Sequence, residues 1–184
     1  MNIVSLDLEL NQYNGHPKII QIGVAIGDLE RRQILEKKSF MVNPGEGITE
    51  YISTLTGITD HQVKDAPDLI GAFKQLAEYL QTFETHKQPI VWGNGDIWAL
   101  KKELAEMNMS QDDWKLWPFG FTEMNVKTTV QMILTARKEK TQGGLAKSMN
   151  KFGLSFQGTK HRADDDAFNT MRIYFKLLSL LADV

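Results

Sequence analysis

Four acidic residues and one histidine, Asp7, Glu9, Asp96, Asp166 and His161, are spread over almost the whole chain, each at the edge of an expected secondary-structure element. Asp7 and Glu9 stand two apart on an expected strand, so their side chains leave the same face and can share cations. Carboxylate oxygens are the ligands that hard divalent ions such as Mg²⁺ prefer. The ordinary pKa of histidine lies near neutrality, so a neutral His161 can take a proton from an attacking water while Asp166 holds a metal. Together the five suit hydrolysis of a phosphodiester assisted by two metal ions.

Each residue also has a plainer explanation on its own. Acid-x-acid pairs recur by chance in a chain this acidic. Asp96 precedes the helical stretch IWALKKEL, where an N-cap is the default. His161 would serve as a loop histidine, and Asp166 as a first-turn acid facing the helix dipole, the role expected of Asp164 and Asp165. Gly93 and Gly95 on either side of Asn94 point to a strained turn or a close approach of ligand to backbone. His16, His61 and His86 show no ligand-like spacing.

The elements that must position these groups follow from periodicity. Ile3 to Leu10 alternates, with Leu6, Leu8 and Leu10 on one face and Ser5, Asp7 and Glu9 on the other. Lys18 to Gly27 is a near-continuous apolar run, and Gln33 to Val42 completes an antiparallel meander of three strands. Helices are expected near Tyr51 to Leu55, from Asp68 to Phe83, and from Ile97 to Met107 after a brief buried strand at Pro89 to Gly93. Three more are expected at Val126 to Arg137, Gly144 to Phe152 and Asp164 to Leu181, the last with an apolar stripe through Ala167, Met171, Tyr174, Leu178 and Leu181. Strands first, then helices with strands between them, predict an α/β fold with a mixed sheet. Between helices, Asp112 to Phe121 reads as a loop whose Trp114, Trp117, Phe119 and Phe121 could stack on bases or, as the plainer alternative, pack into the core.

With 184 residues and 42% hydrophobic content the chain can build one sizeable core, so 1–184 is read as a single domain. The absence of cysteine excludes disulfides, thiolate metal sites and cysteine nucleophiles. MNIVSLDLEL has no basic n-region or cleavage site, and no stretch is apolar for the length of a membrane span, so a soluble cytoplasmic protein is expected. The net charge of −2 conceals a segment, Asn125 to Ala163, with eight basic residues and one acid, Glu139. A cationic surface beside a carboxylate cluster is what an enzyme cutting a polyanion needs; the alternative is a solvated helical face.

These residues resemble the DEDDh, or DnaQ-like, group of 3'-to-5' exonucleases within the ribonuclease H-like fold. Asp7-Leu8-Glu9 is similar to its first motif, Asp96 to its second, and His161 through Asp166 to its third. LTGIT at Leu55 to Thr59, Trp92-Gly93 before Asp96, and GGLAKSMNKFGLSFQGTKH running into DDAFN resemble the exoribonuclease branch of the enhanced-RNAi enzymes and their bacterial relatives.

The resemblance implies a mixed five-stranded sheet flanked by helices, with Asp7, Glu9, Asp96 and Asp166 binding two divalent cations, Mg²⁺ or Mn²⁺, Glu9 and His161 serving catalysis and His161 as general base. It also implies that Leu8, Leu10 and Asn11, with Thr56 and Gly57 of the LTGIT turn, meet the terminal nucleotide. Leu10, where many members carry threonine, and Gly95, where this branch often has an aromatic, depart from the common pattern. The expected partners are single-stranded RNA or DNA 3' ends, with RNA favoured, and dimerisation among relatives makes a homodimer possible. The alternatives are a DNA exonuclease and a nucleic-acid-binding module that has lost catalysis.

Overall fold

Alternation in the first dozen residues makes them the central strand of a five-stranded sheet. This computed structural model describes residues 1–13 and 15–182. Strand β1 (Asn2–Tyr13) pairs antiparallel with β2 (His16–Asp28), which pairs antiparallel with β3 (Gln33–Met41). On its other side β1 runs parallel to β4 (Ile90–Val91), which runs parallel to β5 (Met124–Asn125). The order is β3-β2-β1-β4-β5, the mixed sheet with an antiparallel meander that the sequence predicts.

Helices α1 (Glu50–Thr56), α2 (Asp60–Val63) and α3 (Leu69–Thr82) follow the meander; α4 (Asp96–Glu106) and α5 (Gln111–Trp114) lie between β4 and β5. Helices α6 (Val126–Ala136), α7 (Leu145–Lys151) and α8 (Ala163–Ala182) close the chain. Leu6 and Leu8 pack with Phe73, Leu76, Leu100 and Leu104 on one face of the sheet, with Leu10 against them. Ile3 and Ala25 pack with Val130, Met149, Ala167 and Met171 on the other. The sheet is thus covered on both faces, which is why β2 reads as a continuous apolar run.

A register shift between Glu9 and Leu10 leaves Ile20 without a partner on β1. Ile20 turns into a third cluster with Ile52, Ile58 and Val63, while Ile19 and Ile22 both join the α3–α4 side. This β-bulge ends regular pairing immediately beside Glu9. Asp68 caps α3 through the Gly71 amide at 2.8 Å, as its position before an apolar helical run requires. On α8, Ala167 and Met171 are buried and Tyr174 and Leu178 partly so, while the Leu181 side chain lies outside the described residues. Trp117 stacks on Phe73 with centroids 5.8 Å apart and Phe119 is buried, so this part of the aromatic loop is core, whereas Phe121 is fully exposed. No described helix is long and apolar enough to cross a membrane.

Candidate active site

Asp7 lies opposite Gly23 in the β1–β2 register, and Gly23 is where α8 touches the sheet. A Cβ on Gly23 would lie 1.9 Å from the carbonyl carbon of Ala163 and 2.1 Å from the Asp164 nitrogen, so only glycine lets the helix start seat on β2. Gln21, on the same face, accepts a hydrogen bond from the Ala163 amide through Oε1 at 3.0 Å. These contacts carry Asp166, in the first turn of α8, to Asp7 and Glu9. One ligand atom from each of Glu9, His161 and Asp166 lies within 4.8 Å of the other two. The His161 amide donates to Asp166 Oδ2 at 2.8 Å, and His161 adopts a left-handed backbone with φ of 61°, which turns the chain sharply into α8.

Asp96 is not the cap of its helix. Gly95, with φ of 108°, is the N-cap residue and Asp96 the first helical residue. Gly93 also has positive φ, at 119°, and no atom lies within 4 Å of where a Cβ would sit on either glycine. The pair forms a turn that other residues would adopt only with strain. Its amide at Gly95 donates to Glu123 Oε1 at 3.0 Å, while Glu123 Oε2 is buried without a hydrogen-bond partner. Glu123 is a carboxylate that no sequence pattern marks. It reaches Asp96 because β5 pairs with β4, Met124 against Ile90, and the same Ile90 pairs with Ser5 of β1.

The carboxylates are held under mutual repulsion. Burial, then the charges of Asp96, Asp166 and Glu9, push the Asp7 carboxyl well above its ordinary value. Burial and Asp166 raise Glu9 to about 7, against the opposing charge of Arg162. Asp96 is raised to about 6 by burial and by Glu123, and Asp166 to about 6 by burial, against the His161 amide bond that lowers it. A partly desolvated cluster of acids that resist ionising is relieved by protons or by cations, and all-oxygen donors suit hard divalent ions. The side chains present fit such ions.

Asp164 and Asp165 do more than face a helix dipole. Lys37 of β3 pairs with Asp164 at 3.0 Å and also with Asp165, which is buried and accepts from the Thr159 amide at 2.8 Å. Asn169 accepts from the Gln157 amide at 3.1 Å and donates to the Gln157 carbonyl at 2.7 Å. Arg172 donates to the Ser155 carbonyl at 2.7 Å. The loop carrying His161 is therefore tied to α8 at successive turns.

Residues 4–174 match the RNase T exonuclease family. The chain belongs to this family. The PolC-type DNA polymerase III of Staphylococcus aureus is 26% identical over 174 residues, and that of Staphylococcus epidermidis 25%; each match covers 95% of this chain and 11% of the polymerase. The chain thus spans about a tenth of the length of these curated relatives. Among solved structures, the nuclease domain of 3'hExo, a DEDDh family member bound to rAMP, superimposes with a TM-score of 0.81 at 20% identity, covering 97% of this chain and 92% of that one. Cell-death related nuclease 4 gives 0.80 at 17% identity, covering 97% and 64%. The exonuclease fold and the DEDDh grouping are those expected from the motifs.

The remaining residues expected at a terminal-nucleotide pocket of this exonuclease fold are placed less freely. Leu8 is buried in the core on the face opposite Asp7, so it offers substrate nothing but backbone, and Leu10 packs partly against the same core. The Asn11 side chain is wholly buried and committed to the 46–49 loop: it donates to Glu46 and Gly47 at 3.0 Å and accepts from the Thr49 amide at 3.0 Å. Thr56 is also buried, donating to the Ile52 carbonyl at 2.8 Å and accepting from the Ile58 amide at 3.0 Å. Gly57 is the exposed left-handed C-cap of α1, with φ of 71°. The side chains of Asn11 and Thr56 are thus already bonded within the protein.

Proposed function

We propose that the chain is a divalent-cation-dependent 3'-to-5' exonuclease that releases 5'-mononucleotides from single-stranded ends, with RNA favoured. The observation that carries this is the meeting of His161 with Glu9 and Asp166 within 4.8 Å, beside the raised carboxyls of Asp7 and Asp96. Asp7, Glu9, Asp96 and Asp166 would hold two cations, Mg²⁺ or Mn²⁺, which when bound supply Lewis acidity at the phosphate and acidify water. His161, exposed and held by its own amide on Asp166, takes a proton from a water molecule. The water oxygen forms a bond to the terminal phosphorus, and the bond from phosphorus to the 3' oxygen of the preceding nucleotide breaks. That oxygen takes up a proton from solvent, leaving a strand one unit shorter with a 3' hydroxyl.

The preference for RNA is supported by the 3'hExo neighbour bound to rAMP and by a second structure described as recognising a histone mRNA stem-loop. A DNA substrate is the second reading, favoured by the polymerase relatives. Chromatography of products from an equimolar mixture of RNA and DNA oligomers of one sequence tests both. Ribonucleoside 5'-monophosphates released ahead of deoxynucleotides support the proposal; deoxynucleotides first would replace RNA by DNA, and 3'-phosphates would overturn the chemistry.

A further inference from the structure

The basic segment does not spread its charge evenly. Lys151 is paired with Glu139 at 3.1 Å and Arg137 lies over the Phe152 ring at 5.3 Å, but Lys147 and Lys160 form no ion pair among the described residues. Both line a cavity of about 220 Å³ together with Leu145, Phe156, His161 and Asp166. One wall of this cavity is therefore the candidate active site itself, and Asp166 is the only acid among its lining residues. A cavity of similar size, about 200 Å³, beside Trp98 differs in its charge: there Lys18 faces Glu103 at 4.0 Å and Lys102 faces Glu106 at 3.7 Å. Of the basic side chains in this segment, Lys147 and Lys160 are the two that line the cavity beside the histidine that would act on the scissile phosphate.

We propose that this cavity, between the start of α7 and the His161 loop, receives the phosphodiester on the 5' side of the scissile one. Lys147 and Lys160 are its counter-ions, and Phe156 forms the apolar wall against the attached nucleotide. The proposal rests on the exonuclease reading and adds a direction to it: the strand enters over α7 and ends at the carboxylate cluster beside His161 and Asp166. A dinucleotide NpN carries only the scissile phosphate, whereas NpNpN carries one more, so the cavity is used by the trinucleotide alone.

The test compares kcat/KM for the two substrates in the full chain and in a Lys147→Ala/Lys160→Ala variant. The wild type should favour the trinucleotide at least 10-fold, mainly through KM, and the variant should lose most of that ratio, while Lys147→Arg/Lys160→Arg keeps it. A wild-type ratio near one, or a ratio that the alanine substitutions leave unmoved, overturns the proposal. If the wild type hydrolyses neither substrate, the exonuclease reading fails separately. Binding of a labelled single-stranded oligomer in EDTA then decides the cavity: the slope of log affinity against log salt should be shallower by about 0.7 in the alanine variant, one phosphate's share. An unchanged slope overturns it.

Discussion

Gly23 lies so close against Ala163 that a Cβ would come within 1.9 Å of the Ala163 carbonyl carbon. Because Gly23 is also the register partner of Asp7, this contact sets the distance between the two halves of the carboxylate cluster. Gly23→Ala must push α8 away, at a cost at or above the ~1–3 kcal/mol typical of overpacking. Displacing Asp166 by even an ångström should lower kcat by about 100-fold. Chemical denaturation and a turnover assay check this, and a variant with native activity would show that the α8 start does not set the site.

Asp165 ties Lys37 of β3 to the Thr159 amide of the His161 loop. Asp165→Ala leaves that amide without its partner and Lys37 with Asp164 alone, so it should cost about 1–3 kcal/mol and lower kcat more than KM. Proton-deuterium exchange should show faster exchange at residues 157–161. Unchanged exchange there would place the loop's support elsewhere.

The acids of the cluster bind their protons more tightly folded than unfolded. Between the ordinary and the folded pKa the native state keeps protons that the unfolded chain has released, so stability falls as pH rises through that interval. The interval runs from 3.8 to about 6 for Asp96 and Asp166 and from 4.5 to about 7 for Glu9. In EDTA the cluster should therefore make the melting temperature decline from about pH 4 to pH 7. Excess Mg²⁺ should restore it increasingly over that range, by about 2.7 kcal/mol at a hundredfold excess over Kd. A Mg²⁺ effect that shrinks with rising pH would contradict the assignment.

Much of this arrangement is visible before folding. The alternation of Leu6, Leu8 and Leu10 against Asp7 and Glu9 fixes the faces of β1, and Asp68 marks the start of α3 within one residue. The two-residue β5 and the four-residue α2 and α5 are too short to show a period, and the fifth strand was implied only by resemblance. The bulge at Ile20 is hidden because both faces of β2 are apolar. Glu123 and Asp165 escape for another reason. The partner of each, Gly95 or Lys37, is distant in the chain.

Glu123 can be separated into two roles. Glu123→Gln keeps an acceptor for the Gly95 amide but removes the negative charge that raises Asp96. With less negative charge at the site, the Mg²⁺ concentration for half-maximal rate should rise several-fold. Glu123→Ala, which also frees the Gly93–Gly95 turn, should lose more in kcat. Titrations of rate against Mg²⁺ in the two variants check this, and identical curves for wild type and Glu123→Gln would confine Glu123 to holding the turn.

Cleavage of strands from their 3' ends by the carboxylate cluster is open to a direct test. The direct measurement is a time course with a 5'-labelled single-stranded RNA in Mg²⁺ and in EDTA, alongside Asp7→Ala. A ladder that shortens by one nucleotide at a time from the 3' end, requires the cation and is absent in Asp7→Ala is the predicted result. Intact RNA throughout from the folded wild type, or a ladder that Asp7→Ala reproduces, would contradict it.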